Sequence, residues 1–179
     1  MNVAALLREN KDQIAKNWLE AIFQTYPLDT VGFMRRQHDE FANPVGARTT
    51  QAVDELVAML VEDSFEAQAT EAALDVLVRV RAVQSFTPAR AVGVVFLLKS
   101  VVRALVEKSK TDSLDLAELL QFESKVDSLA LISFDIYMKC HKQIFEMRVE
   151  ELRRGHHMLL KRAGMICEGL AEEPDTPTK

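Results

Sequence analysis

One long interval without glycine or proline most constrains what this chain can fold into. It runs from Ser113 to Arg154, and apolar residues recur through it at spacings of three and four. That spacing places apolar side chains on one face of an α-helix, and globular helices average only about 11 to 12 residues. The interval therefore predicts one unusually long helix, with its first half buried in a domain and its second half projecting from it.

The rest of the chain is also predicted to be helical. Only six glycines and five prolines occur in 179 residues, and they fall between segments of helical period. Asn43-Pro44 and Thr87-Pro88 predict helix starts, because Asn or Thr caps free amides and Pro at the first helical position lacks an N–H that would have no partner. The segment 91–98 is apolar nearly all round, which is typical of an interior helix. We therefore predict an all-α protein.

Composition and charge exclude several classes of function. There are 22 Lys and Arg against 27 Asp and Glu, a formal charge of -5, whereas nucleic-acid-binding surfaces are usually basic. No apolar run approaches the roughly 20 residues that span a bilayer. Two cysteines do not make a disulfide scaffold, and the N-terminus lacks the pattern of a secretory signal. We expect a cytoplasmic protein that binds no nucleic acid and has no transmembrane segment.

Motifs for catalysis and metal binding are missing from the sequence. The four histidines are His38, His141, His156 and His157, and no two of them stand four residues apart, as two ligands on one helical face would. There is no H-E-x-x-H, no C-x-x-C, no glycine-rich phosphate loop and no nucleophile elbow. We expect no enzymatic activity, no metal and no cofactor.

Two groups of residues are candidates for ligand binding. Arg79, Arg81 and Arg90 flank the turn from Ser85 to Pro88, where free amides at the start of the next helix also attract anions. In the alternative interpretation these arginines bridge surface carboxylates or lie along apolar surface with their heads in water.

Tyr137 and His141 stand four residues apart on the long helix and would point into a pocket together. The alternative for this pair is core packing with a satisfied polar tip.

A seven-residue pattern near the C-terminus predicts a dimer interface. The residues alternate in steps of four and three, which is the spacing of the a and d positions of a coiled coil. They are Phe145, Val149, Leu152, His156, Leu159, Ala163, Ile166 and Leu170. His156 is the one polar residue among them, so a positive charge on it in both copies would place two cations together and loosen a dimer.

The competing interpretation is a helix stop at Arg153-Arg154-Gly155. Basic residues in a last turn followed by glycine are a common helix end, and Gly164 and Gly169 would break any helix beyond it. Residues past 155 would then fold back as short helices. Arg148 would also face Arg153 of the partner across a parallel pair and repel it. The sequence leaves both interpretations open.

Four long stretches resemble the RsbRD N-terminal domain family, the sensor-type domain of RsbT co-antagonist proteins. They are LLRENKDQIAKNWLEAIFQTYP (6–27), FANPVG (41–46), VRVRAVQSFTPARAVGVVFLLK (78–99) and LALISFDIYMKCHKQIFEMRVEELRR (129–154), and the resemblance covers about residues 4 to 154. It implies a globin-like helical bundle without haem, which forms a homodimer and passes a signal through a C-terminal linker helix into a phosphorylatable STAS domain.

The resemblance also sets our expectations for domains and function. We expect a helical sensor domain over 1–154, a helical extension over 155–172 and a disordered tail over 173–179. Because these residues include no counterpart of the STAS domain, we expect a stand-alone bacterial sensor in stress or metabolic signalling, related to the stressosome. One alternative is a haem or tetrapyrrole carrier with His141 as axial ligand. Another is a structural adaptor of a respiratory sulfur-metabolism complex, since similar single-domain proteins occur in sulfate-reducing bacteria.

Overall fold

The computed structural model describes residues 2–27, 43–109 and 115–165, and within these ranges the chain is helical with short turns and no strand. The helices are α1 (Val3–Glu9), α2 (Lys11–Phe23), α3 (Pro44–Glu62), α4 (Ala67–Val83), α5 (Pro88–Lys108) and α6 (Leu116–Arg162). The predicted all-α class and the long C-terminal helix are both confirmed. None of these helices is long and apolar enough to cross a bilayer. His38 lies outside the described residues.

The two predicted helix starts are confirmed in atomic detail. Pro44 and Pro88 are the first residues of α3 and α5. The Asn43 Oδ1 atom accepts a hydrogen bond from the Gly46 N–H at 2.9 Å, and the Thr87 Oγ1 atom accepts one from the Arg90 N–H at 3.4 Å. Each cap satisfies an amide that the first helical turn leaves without a partner.

The core of the first compact unit, which ends at His141, is built around α5. Val95, Leu98 and Val102 are fully buried on this helix, as its apolar sequence predicts. The Nε1 atom of the buried Trp18 on α2 donates a hydrogen bond to the Val94 carbonyl at 2.8 Å. Phe96 is an exception to the interior pattern, because the outward side of α5 leaves it 44% exposed.

The first part of α6 is attached to this unit by apolar and ionic contacts. Val126 and Leu129 are buried, and Arg103 on α5 forms a two-pronged ion pair with Glu123 at 2.6 and 2.7 Å. Lys99 lies 2.6 Å from the Asp127 carboxylate. These pairs stand at one-turn intervals on both helices, so they set the register of α5 against α6.

The second compact unit begins at Lys142, and its described residues continue α6 without a break at Gly155. The helix stop expected there in the competing interpretation is therefore wrong. Glycine inside a helix costs only about 1 kcal/mol, whereas ending a helix commonly uses a residue in the left-handed region. Gly164 supplies it with φ 67, and the Gly164 and Met165 amides donate to the Lys161 and Leu160 carbonyls. Ile166, Leu170 and the tail lie outside the described residues.

Candidate functional site

A buried arginine to which no described carboxylate is paired lies at the end of α4. Arg81 is 1% exposed, and its Nη2 atom donates a hydrogen bond to the Thr25 hydroxyl. Its guanidinium lies 4.6 Å from the centroid of the Tyr26 ring and 4.8 Å from that of Phe86. Among the described residues, no carboxylate pairs with it and its Nε atom has no hydrogen-bond partner. A charge buried this way is costly, and proteins usually give it a counter-ion.

The way α4 ends explains why Phe86 covers Arg81. Ser85 takes the left-handed conformation with φ 62, while the Ser85 and Phe86 amides donate to the carbonyls of Ala82 and Arg81 at 3.2 and 3.1 Å. This is the Schellman helix end, in which the second residue past the cap folds back onto the last turn. That contact is usually between apolar side chains, but here it joins an aromatic ring and a guanidinium, an attractive cation–π arrangement.

A second guanidinium reaches the same ring from the start of α5. The Arg90 guanidinium lies 5.0 Å from the Phe86 centroid, and its Nη2 atom donates to the Thr25 carbonyl at 3.2 Å. A solvent-open cavity of about 340 Å³ lies beside it, lined by Tyr26, Pro27, Gln84, Ser85, Phe86 and Arg90. Two positive charges thus share one aromatic ring and one threonine. We call Thr25, Tyr26, Arg81, Phe86 and Arg90 the Arg81 cluster.

The electrostatics of the cluster reflect this crowding. Burial lowers the pKa of Arg81, the neighbouring Tyr26 raises it, and the charge of Arg90 lowers it again. Burial raises the pKa of the Tyr26 phenol, against the opposing influence of the Arg81 charge. Arginine stays protonated in proteins even so, and the buried Arg81 and the exposed Arg90 therefore repel each other.

The long helix α6 touches the cluster through Tyr137. This residue is 4% exposed, and its hydroxyl donates a hydrogen bond to the Phe86 carbonyl at 2.8 Å. His141, one turn later, stacks on the Tyr137 ring with centroids 5.9 Å apart. The two groups of candidates that the sequence suggested separately therefore meet at Phe86.

Not every predicted site residue joins the cluster. Arg79 is exposed and binds both carboxylate oxygens of Asp75 at 2.8 Å, which raises the pKa of Arg79. Arg79 therefore fits the alternative interpretation, in which these arginines pair with carboxylates on the surface. His141 is exposed rather than enclosed in the apolar pocket that an axial haem ligand requires. Among the described residues, no three His, Cys, Asp or Glu side chains gather as metal ligands.

Sequence reasoning missed Thr25, Tyr26 and Phe86. The sequence feature that could have identified them is their position beside helix ends. Thr25 and Tyr26 follow the last turn of α2, and Phe86 lies between the end of α4 and the Thr87-Pro88 start of α5. Residues just beyond helix ends are the ones that turn back onto the helices, but their partners depend on how the helices pack. No spacing in the sequence relates Tyr26 to Arg81.

In the second compact unit, the predicted seam residues from Phe145 to Leu159 lie on one continuous helix. Phe145, Leu152 and Leu159 are 61%, 63% and 63% exposed, Val149 is half-buried and His156 is exposed. Large apolar side chains repeated every seven residues on a helix are the pattern of a surface that packs on another helix.

One protein family matches most of the chain. Residues 12–152 match the family described as the RsbT co-antagonist protein rsbRD N-terminal domain. No curated protein and no solved structure matches the chain. The family match spans α2 to α5 and most of α6, including the whole Arg81 cluster. An all-α chain matched over most of its length in this way belongs to the RsbRD N-terminal domain family.

Proposed function

We propose that this protein is a non-catalytic signalling sensor of the stressosome type, which forms a homodimer through the C-terminal part of α6 and transmits ligand or partner binding along that helix. Family membership supports the signalling role. The protein acts in the bacterial cytoplasm, in stress or metabolic signalling. Its output is a change in dimer geometry, presented to a protein partner.

The observation that carries the dimer is the exposed apolar repeat of residues 145–159. A lone helix that leaves Phe145, Leu152 and Leu159 in water gains nothing from their apolar surface. When two copies pair along this seam, each d-position side chain packs into a space between four residues of the facing helix. Burying one such side chain is worth about 1.5–3 kcal/mol. Three d positions in each copy supply a large enough driving force for association.

A physical connection between the candidate site and α6 supports the transmission step. The hydrogen bond from the Tyr137 hydroxyl to the Phe86 carbonyl joins α6 to the turn that covers Arg81. A ligand that moves Phe86 must either carry Tyr137 with it or break this bond. Each of these changes alters the constraints on α6, as coupling between a site and an output requires.

The test is the mass of the full chain in solution, measured by sedimentation equilibrium. We expect a dimer for the wild type and a monomer for Leu152→Asp, which places two carboxylates inside the seam. Met147→Asp is the matched control, because Met147 is also 63% exposed on α6 but lies outside the a and d positions. We expect Met147→Asp to stay dimeric.

Two results would overturn the dimer proposal. One is a monomeric wild type throughout the micromolar range. The other is an equal effect of the two aspartate variants, which would mean that charge on the helix and not the seam controls association. The same experiment at pH 5.5 and 7.5 tests whether His156 loosens the dimer when it is protonated.

A further inference from the structure

We propose that the Arg81 cluster binds a small carboxylate, held by Arg90 in the open cavity and by the positive potential of Arg81 behind the rings of Tyr26 and Phe86. The inference deepens the sensor proposal and rests on it, because it names the chemical class of the ligand that is sensed. It concerns the first compact unit alone.

The charge balance of the cluster is the first argument. Arg81 and Arg90 lie 4.8 and 5.0 Å from the centroid of the same Phe86 ring. The described residues place no carboxylate within ion-pair distance of either guanidinium, whereas the neighbouring Arg79 has its own acid, Asp75. Two like charges held close together, one of them buried, attract an anion more strongly than either does alone.

The hydrogen-bonding state of the two guanidiniums is the second argument. Arg81 contacts the Thr25 hydroxyl but leaves its Nε atom without a partner among the described residues. Arg90 contacts the Thr25 carbonyl through Nη2 and lines the cavity. Since a guanidinium carries five N–H donors in a planar fork, Arg90 keeps donors for a two-pronged bond to a carboxylate.

The shape and lining of the cavity select the ligand class. Its volume of about 340 Å³ lies at the small end of ligand pockets. Tyr26, Pro27 and Phe86 give it apolar walls, and Arg90 supplies charge at one side. A molecule with one carboxylate and a flat or short apolar body satisfies both parts. Inorganic phosphate, which is strongly hydrated and has no apolar part, satisfies only the charge.

The position of the cluster allows ligand binding there to affect α6. Phe86 contacts both guanidiniums and also accepts the hydrogen bond from Tyr137 on α6. A carboxylate on Arg90 withdraws the guanidinium from the Phe86 ring or presses it closer. Either movement shifts Phe86, whose carbonyl oxygen accepts the hydrogen bond from Tyr137 on α6.

Calorimetric titration of the full chain with benzoate tests the inference, with benzamide as the uncharged isostere. We expect benzoate to bind and benzamide to bind far more weakly. Arg90→Gln should weaken benzoate binding by about tenfold to a hundredfold, the value of a charge-assisted contact. Arg90 is exposed, so this variant should keep the fold. Arg79→Gln, an equal change at an arginine outside the cluster, should bind benzoate as the wild type does.

The remaining outcomes decide against the inference. Equal binding of benzoate to Arg90→Gln and to the wild type rules out this site. The site is also ruled out if the titration shows no binding of benzoate and none of butyrate, a short aliphatic carboxylate. Binding of inorganic phosphate in preference to benzoate overturns the carboxylate class. Calorimetry detects the ligand in monomer or dimer, and sedimentation detects the dimer without ligand. The failure of this inference is therefore distinguishable from the failure of the dimer proposal.

Discussion

Replacing Thr25 with valine should lower the stability of the protein by removing a hydroxyl that accepts a hydrogen bond from the buried Arg81. Valine has nearly the shape of threonine, so packing changes little. The Thr25 hydroxyl accepts a hydrogen bond from Arg81 and donates one to the Ile22 carbonyl at 2.6 Å. Arg81 is 1% exposed, so water cannot replace the lost acceptor.

The magnitude comes from these two contacts. A hydrogen bond to a charged group contributes about 1.5–3 kcal/mol and a neutral one about 0.5–1.5 kcal/mol. Thr50→Val removes a contact of the second kind only, because the half-buried Thr50 hydroxyl donates to the Gly46 carbonyl at 2.9 Å. The difference between the two variants isolates the Arg81 contact at about 1.5–3 kcal/mol. For a domain of this size, that difference corresponds to about 3–12 °C in Tm.

Thermal unfolding followed by circular dichroism at 222 nm provides the measurement, with Thr25→Ser as a third variant that keeps the hydroxyl. We expect Thr25→Val to melt well below Thr50→Val, and Thr25→Ser to melt close to the wild type. Equal melting temperatures for the two valine variants would refute the reasoning. Arg81 would then not be anchored at Thr25, and the geometry on which the ligand site depends would be wrong.

Two further predictions concern the fold that supports the site. The pKa of Glu123 is lowered mainly by hydrogen bonds from Arg103, and burial opposes this effect. A carboxyl group whose pKa is lowered by folding stabilises the fold at pH values above the ordinary glutamate pKa. This stabilisation is lost as the pH falls through the lower pKa of the folded state. Acid titration of stability should therefore be less steep for Glu123→Gln than for the wild type, and parallel curves would contradict the pairing. Gly46→Ala should destabilise the protein by about 0.5–2 kcal/mol, because the added methyl group overlaps the Asn43 side chain that caps α3. Gly93→Ala, where a methyl group meets nothing within 4 Å, should instead stabilise α5 by about 1 kcal/mol in urea unfolding; a gain at both positions would show that Asn43 does not cap the helix.

The candidate site shows where sequence reasoning succeeds and where it stops. Arg81, Arg90 and Tyr137 were identifiable, because charged and aromatic residues beside a predicted helix end are conspicuous. The sequence did not show whether Arg81 contacts a carboxylate, water or aromatic rings. That depends on residues such as Tyr26, which is 55 positions away in the chain. Arg79 and Arg81 look alike in the sequence, yet one is exposed on Asp75 and the other is buried. The two stand two residues apart and so face opposite sides of α4.

Local rules also misjudge a helix end when two glycines compete for it. Arg153-Arg154-Gly155 has the composition of a helix end, yet α6 continues through it to Arg162, and Gly164 beyond that end takes the left-handed conformation. A glycine permits the left-handed conformation without requiring it. Whether the helix ends at Gly155 or near Gly164 depends on the free energy of the whole segment. That free energy cannot be inferred from the composition of a single turn.

The sequence by itself determined the helical class, the capped starts of α3 and α5, the presence of one unusually long C-terminal helix and the seven-residue apolar repeat, because each of these depends on residues within a few turns of one another. Only the tertiary structure decided that Arg81 is buried without a described counter-ion, that Arg90 shares the ring of Phe86, and that Tyr137 attaches α6 to the same residue. The physical reason is that backbone hydrogen bonding and periodicity act locally, whereas burial and charge pairing are properties of surfaces that meet only when the helices pack.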